Sequence, residues 1–538
     1  MNRKQRRAET KLRRPMIQAA SSVVRQQLAR AVQRHQSGRL TEAEQLYRQV
    51  LTHDSGNADA LHLLGVVTHQ KGRPDLAIDL IRQAIAINPA EASFHANLGV
   101  AFKELGRRDE AIACYRTAIG LRPEQPEAHS TLGNALAASG RLDEALASYR
   151  TAIALRPDYA EAHYNIGITL KERGRAEEAV TCYRKAIALR PDYQEAHYNL
   201  GNAFRDLRQL GAAIASYRRA IELRPDFPDA HHNVALALLA QGDLAAGWVE
   251  YEWRWEKSQL SEANRGFAQP QWHGEPAEGQ TLLIHAEQGF GDTIQFCRYA
   301  TLAAARGLRV ILEVQEPLVR LLRGLSGVDR VLRRGDDLPA FDRHCPMLSL
   351  PLALRTTRMT IPAAPSYLAA DTALAEAWRT RLALVSGSGP QIGLAWAGKP
   401  SNLADRRRSM APDRLTPLFA LSGLQFVNLQ QAGPKPPADV PLIDFTDEMI
   451  DFADTAALIA NLDLVISVDT AVAHLAASLG KPVWLLDRFD ACWRWLDGRR
   501  DSPWYPSLHL YRQKQPGDWD SVLTEVTRDL RQLAGTAI

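Results

Sequence analysis

Three groups of polar residues in this chain have the types and the spacing for chemistry. The first is Asp469, Thr470 and His474, within LVISVDTAVAHLAASLGKPVW from Leu464 to Trp484. Residues four apart share a helix face, and at a helix start they border free backbone N–H groups, where an anion such as a diphosphate settles. The second is Glu287-Gln288-Gly289-Phe290-Gly291-Asp292-Thr293. Its glycines let backbone or ligand approach closely, and a positioned carboxylate can act as a general base. The third is Lys399 to Ser409, where Lys399, Arg406, Arg407 and Arg408 form a clamp suited to phosphates. Each has a plainer reading: Asp469 as an N-cap beside a partly buried His474, Asp292 as a helix cap, and the basic run as a solvated loop. A lone GxG does not specify a dinucleotide.

The elements that must hold these groups are parallel strands alternating with helices. Leu464 to Ser467 reads as a buried strand, Thr470 to Leu479 as a tightly packed helix stopped by Gly480 and Pro482, and Val483 to Leu486 as the next strand. This is a βαβ unit with Asp469 and Thr470 at its corner. Upstream, Thr281 to Ala286 and Arg309 to Val314 are strands flanking a helix over about Thr293 to Ala305, and Phe341 to Leu350 is further strand material. After a break at Gly387 to Pro390 come strands at Ile392 to Ala397 and Phe426 to Leu429 and a helix around Thr455 to Asn461. Two Rossmann-like halves follow, 281–388 and 389–538, with a cleft expected between them. A strand preceding Asp292 would aim it into that cleft opposite Asp469, with Glu287 as its competitor. Residues 257–280, rich in Pro and Gly, read as a linker. Asp518 and Asp520, the sole DxD, read as capping of the last helix rather than as a metal site.

The chain from 22 to 256 repeats itself. Gly65, Gly99, Gly133, Gly167 and Gly201 are 34 apart, and so are Pro89 to Pro225, Ala84 to Ala220 and Tyr115 to Tyr251. A helix-turn-helix unit of this period resembles the tetratricopeptide repeat, and about seven repeats with atypical ends fit the span. His95, His129, His163, His197 and His231 are too widely spaced to share an ion and are expected in the core. A second ladder, Asn97, Thr131, Asn165, Asn199 and Asn233, follows two residues after each histidine. Its amides would either grip an extended peptide backbone or bond between repeats.

Composition limits the remaining choices. The chain has 538 residues, 46% hydrophobic and 23% charged, so several soluble domains are expected. A formal charge of +4 argues against a dedicated nucleic-acid binder. Five scattered cysteines without a CxxC pair indicate neither zinc nor a disulfide framework, and no apolar run is long enough for a transmembrane segment. Residues 1–21 begin with a basic arm that reads as disordered. The expected setting is cytoplasmic.

HAEQGFGDTIQFCRY and SVDTAVAHLAASLGKPVW together resemble the ADP-heptose:lipopolysaccharide heptosyltransferase family over about residues 281 to 535. The family's usual DTG is here Asp469-Thr470-Ala471. Together with the repeats, the resemblance implies an α-solenoid followed by α/β GT-B architecture, with 281–388 on the acceptor side and 389–538 on the donor side, and inverting, metal-independent glycosyl transfer without a cofactor. It makes Asp292 the base; Asp469, Thr470, Ala471, His474, Lys399, Arg406, Arg407 and Arg408 the nucleotide-sugar donor site; and Gly289 and Gly291 part of the acceptor site. Fused repeats are also a feature of the O-linked N-acetylglucosamine transferases, which makes a protein or peptide in the repeat groove the expected acceptor. Two other readings suit the same layout: a non-catalytic repeat scaffold, and a nucleotide-sugar epimerase.

Overall fold

The computed structural model describes residues 23–257, 265–399, 405–431, 433–434 and 440–536. The expected basic arm, part of the expected linker and the side chain of Arg406 lie outside the described residues. The chain forms two compact units, Met1–Leu207 and Arg208–Ile538. No helix among the described residues is long and apolar enough to cross a membrane.

The first unit is a helical repeat solenoid, running from a helix over 23–36 through Leu40–His53 and onward to Gln194–Asp206. Its periodic residues have mutual contacts as their cause. A Cβ placed on Gly99, Gly133 or Gly167 would lie 2.6, 2.5 and 2.6 Å from the ring of Tyr115, Tyr149 and Tyr183. Glycine is thus what lets each helix lie on the tyrosine of its partner, and the buried Ala118, Ala152 and Ala186 keep the helices close. The turns between paired helices use glycines at φ 72° to 77°, namely Gly72, Gly106, Gly140 and Gly174, a conformation that side chains strain.

The histidine ladder departs from expectation. The five rings are half-buried rather than in the core, and each Nε2–H donates to the carbonyl of the proline six residues earlier, at 2.9 to 3.2 Å from Pro89, Pro123, Pro157, Pro191 and Pro225. The proline ends one helix and leaves a carbonyl that needs a donor. The histidine on the next helix supplies it.

The second unit opens with three more repeat helices, Leu210–Leu223, Pro228–Gln241 and Leu244–Tyr251, and a 3-10 turn at Glu252–Glu256. Two parallel sheets follow. The first holds β1 (Thr281–His285), β2 (Arg309–Val314), β3 (Val328–Arg333) and β4 (Arg343–Pro346) in the order β3-β2-β1-β4. The second holds β5 (Gln391–Ala395), β6 (Gln425–Asn428), β7 (Leu442–Asp444), β8 (Leu464–Val468), β9 (Val483–Asp487) and β10 (Leu508–Arg512) in the order β10-β9-β8-β5-β6-β7. Central strands such as β1 and β8 are buried along their whole length, which is why they read as unbroken apolar runs.

Two expectations are corrected. The helix over Thr293 to Ala305 is divided at Cys297 into Phe290–Phe296 and Arg298–Ala304. Residues 265–280 are not a free linker: Trp272 is fully buried, its N–H donates to His344 at 2.8 Å, and the His344 N–H donates to Pro270 at 3.2 Å. One aromatic anchor and a short bridge to β4 hold the segment, and neither leaves a periodic trace in sequence.

Candidate functional site

Strand order decides where a ligand can sit in the second sheet. β5 comes first in the chain yet lies in the middle, so successive strands spread away from it on either side and a crevice opens at the carboxyl ends of β5 and β8. Asp469 and Thr470 follow β8 at that crevice. Thr470 is the N-cap of the Ala471–Ser478 helix, and no side chain caps that helix start, so Asp469 is not the cap that sequence allowed. The Thr470 hydroxyl instead meets the Ser467 hydroxyl at 3.0 Å. Arg408 arrives from beyond β5, with Nη1 donating to the Asp469 carbonyl at 2.9 Å and Nε to Asp405 at 3.1 Å. Arg407 instead pairs with Asp490, and Lys399 is exposed.

His474 is buried beneath this corner. Its Nδ1 lies 2.9 Å from the Tyr505 hydroxyl, its Nε2 lies 3.8 Å from Asp469, and its ring stacks on Trp495. Burial, then the nearby Arg494, Arg298 and Arg408, hold its pKa well below the usual imidazole value, so the ring is neutral at neutral pH.

In the first sheet the corresponding corner follows β1. Asp292 sits in the first turn of the Phe290–Phe296 helix, and its Oδ2 accepts from the Gly289 N–H at 3.1 Å, so it does cap. Its other oxygen is ion-paired with Arg494. Glu287 has no such freedom. It is buried and accepts from Arg254 Nε at 3.0 Å, Arg254 Nη2 at 3.1 Å and the Leu348 N–H at 2.9 Å. Burial pushes its carboxyl up and Arg254 pulls it back. A carboxylate whose oxygens are spoken for three times over is a structural group, which leaves Asp292 as the candidate base.

The two corners meet. A Cβ on Gly291 would lie 2.9 Å from the His474 ring, so Gly291 serves the close packing of the two corner helices rather than an open acceptor surface. Gly289 stays exposed, with its N–H taken by Asp292. Sequence reading missed Arg494 and Arg488. Arg494, buried over the face of Trp493, bonds Cys492 and Asp292. Arg488 follows β9; its Nε is ion-paired with Asp490 at 3.4 Å, and among the described residues its buried Nη1 has no hydrogen-bond partner. The signal available was the dense run Trp493-Arg494-Trp495, with Trp504 and Tyr505 beyond it, unusual for a surface loop.

The asparagine ladder is engaged between repeats. Asn97 Nδ2 meets His62 Nε2 at 2.7 Å, Asn165 Nδ2 donates to Asn134 at 3.0 Å, and Asn199 Nδ2 donates to the Tyr164 hydroxyl at 2.8 Å. Thr131 turns its hydroxyl back to the Glu127 carbonyl. Asn233 is buried, so the last rung is withdrawn from any groove. At the C-terminal helix Asp518 accepts from the Ser521 N–H at 3.1 Å, which is the capping role expected of it.

Comparison with known proteins finds family matches in two parts of the chain. The C-terminal domain of cilia and flagella-associated protein 70 matches residues 3–245, and glycosyltransferase family 9 (heptosyltransferase) matches residues 449–486, the stretch holding the β8 corner. The chain carries tetratricopeptide-type repeats and a glycosyltransferase-like segment. Protein FlbA of Caulobacter vibrioides (strain ATCC 19089 / CIP 103742 / CB 15) is 31% identical over 333 residues, covering 56% of this chain and 55% of FlbA, so the chain spans about half the length of that relative. Among solved structures, MamA is 25% identical, covering 30% of this chain and 95% of its own at a TM-score of 0.29. YrrB, described as a TPR protein with an unusual peptide-binding site, is 19% identical, covering 35% and 96% at 0.31. The C-terminal part of a TPR protein of Cytophaga hutchinsonii is 16% identical, covering 42% and 93% at 0.37.

Proposed function

We propose that the chain is an inverting glycosyltransferase that moves a sugar from a nucleotide-diphosphate sugar to a protein or peptide acceptor held by the repeats, in the cytoplasm and without a metal. The observation that carries this is the uncapped helix start at Thr470, set at the switch point of the second sheet beside Arg408 and inside the segment that glycosyltransferase family 9 matches. Free N–H groups and a fixed guanidinium stabilise the charge that grows on a departing diphosphate.

In this reading Asp292 takes the proton of the acceptor hydroxyl. The acceptor oxygen bonds the anomeric carbon as that carbon's bond to the diphosphate oxygen breaks, and the electron pair leaves with the diphosphate. The Asp292–Arg494 pair must loosen first, and an arriving diphosphate competes for Arg494. Lys399, Arg406, Arg407 and Arg408 border the donor, His474 stays neutral beneath it, and Ala471 narrows the turn that holds it. The amide oxygens of Asn97 and Asn165 are the groups offered to peptide N–H donors, whereas that of Asn199 accepts from Asn202 Nδ2 at 3.3 Å.

The test is turnover of a panel of nucleotide sugars with and without peptide, alongside thermal shift. A ligand at a hundred times its Kd stabilises by about 2.7 kcal/mol, so the true donor should raise Tm clearly. If no donor raises Tm or turns over, the reading fails. A second reading, a sugar-nucleotide-binding scaffold, is favoured by the ion pair that occupies Asp292. Donor binding without transfer or hydrolysis would establish that alternative.

A further inference from the structure

The repeat register contains one discord. Gly38, Gly72, Gly106, Gly140, Gly174 and Gly242 all take positive φ at steps that fit the 34-residue period, and the remaining position is Arg208, which holds φ 58° without being glycine. A non-glycine residue there is strained, and strain of this kind persists where the surroundings use the side chain. Arg208 donates through Nη1 to the Phe489 carbonyl at 2.8 Å and is ion-paired with Asp497. The Asp497 N–H in turn donates to Ala240 at 2.9 Å. Repeat residues therefore hold the loop after β9 at Phe489 and Asp497, on either side of Arg494.

The helix and 3-10 turn that follow, Leu244–Tyr251 and Glu252–Glu256, hold the loop after β1. Arg254 is fully buried and spends its donors on Glu287, Glu252, Ser349 and the Tyr251 carbonyl. The Tyr251 hydroxyl accepts from Gln288 Nε2 at 3.1 Å, one residue before the Gly289 that Asp292 caps. Trp248 packs edge-on against Phe296, the last residue of the helix that follows the β1 loop, and against Trp493 of the β9 loop. A solenoid cap would need only a polar outer face. This one spends a strained turn and a buried guanidinium on two distant loops.

We infer that the end of the repeat array, from the turn at Arg208 to the 3-10 turn at Glu252–Glu256, is a brace for the site, with Arg208, Tyr251 and Arg254 as positioning residues that hold the β1 loop and the β9 loop in register so that Asp292 and Arg494 face one another. This rests on the glycosyltransferase reading for its kinetic consequence, though not for its structural one. The brace makes the stretch 208–257 part of the catalytic body, although its sequence belongs to the repeats.

The test uses the full chain and three substitutions: Arg208→Gly, Tyr251→Phe and Arg254→Lys. Arg208→Gly is the sharpest, because it restores the glycine of the ladder and should leave Tm no lower than the parent. On the brace reading it nevertheless speeds amide exchange in residues 488–497 and lowers kcat about tenfold with donor KM within about twofold, as loss of orientation does. Tyr251→Phe should speed exchange in residues 286–293 and lower kcat a few-fold, and Arg254→Lys should do more of the same. Parental exchange in both loops in Arg208→Gly and Tyr251→Phe overturns the brace, and faster exchange with parental kcat overturns the positioning role. If the parent turns over no nucleotide sugar, the glycosyltransferase reading has failed while the exchange data still decide the brace.

Discussion

The solenoid and the α/β body are held together in different ways. In the solenoid each contact recurs: the glycine-on-tyrosine crossing is made at Gly99, Gly133 and Gly167 alike, and each histidine closes the same proline turn. In the body each important contact is made once and between residues far apart in the chain, 202 positions for Asp292 and Arg494 and 281 for Arg208 and Phe489. Loss of one repeated contact removes one rung of several. Loss of a single one leaves a buried group with no substitute. Substitutions in the body should therefore act on turnover or on the whole fold, and those in the solenoid should act locally.

The largest expected effect is on chemistry. Asp292→Asn keeps the hydrogen bond to Gly289 but cannot take a proton, so turnover should fall by roughly two to four orders of magnitude with donor affinity nearly unchanged. Steady-state kinetics beside donor titration measures both. Near-parental turnover would remove Asp292 from the mechanism.

Glu287→Gln should instead strike stability. It leaves the fully buried Arg254 with Glu252 as its remaining carboxylate partner, so the cost lies at or below the roughly 3–5 kcal/mol of breaking a buried pair from one side. Urea unfolding of the body should show it. A stable, inactive Glu287→Gln would reverse the roles given to the two carboxylates.

Acid should separate the units. Burial depresses His285 to about 3, His232 to about 4 and His474 well below the usual range in the body, whereas His62, at about 4, is the one such strong case in the described part of the solenoid. These rings are neutral in the fold, and the unfolded chain binds protons first below its pKa of 6.5, so stability is lost as pH falls from about 6.5 toward the folded values. Asp487, raised to about 6 by burial, works the other way between about pH 4 and 6 and offsets part of the loss. Amide exchange of the full chain at pH 7 and pH 5, corrected for intrinsic rate, should show the body losing more protection than the solenoid. Equal losses would mean that the buried histidines do not set the difference.

How much could be read beforehand follows the same division. The 34-residue step exposed helix pairing, the glycine crossings and the tyrosine packing, because each position was sampled several times. The apolar runs of β1, β5, β8 and β9 were legible for the same reason that they are central. β3, VDRVLR, and β10, LHLYR, were not: an edge or half-exposed strand carries charges that hide its alternation. The β8 corner was legible as a motif, but Arg494 and Arg254 were not, since nothing local to either predicts a partner that tertiary folding supplies. The histidines were misplaced into the core because spacing gives a face and not the hydrogen bond that a ring nitrogen makes.

Within the solenoid, Gly133→Ala should cost about 1–3 kcal/mol, since its methyl would lie on the Tyr149 ring and the helix pair must part to admit it. The loss should appear in unfolding of the first unit while turnover of a small donor, assayed without peptide, stays parental. A drop in that turnover would show the repeats acting on chemistry beyond the brace at 208–257.

The smallest expected effect is the one that decides what the asparagine ladder is for. Asn165 donates to Asn134 at 3.0 Å in a partly exposed position, where water replaces a lost partner at little cost, so Asn165→Ala should lower stability by no more than about 0.5–1 kcal/mol. The two roles proposed for the ladder differ in what else changes. If the amide only ties one repeat to the next, the denaturation midpoint shifts slightly and peptide affinity does not. If the amide oxygen also receives a peptide N–H, truncation removes that acceptor, and the affinity for an extended peptide falls several-fold while the fold is barely touched. The bond to Asn134 sharpens the second outcome, because it fixes the amide's orientation and leaves the oxygen as the group a peptide meets. Peptide titration by calorimetry, run beside urea unfolding on Asn165→Ala and on the control Asn134→Ala, distinguishes them. Asn134→Ala removes the inter-repeat partner while keeping the Asn165 oxygen, so on the peptide reading it should retain more affinity than Asn165→Ala. Equal affinities in both variants would make the ladder architectural alone.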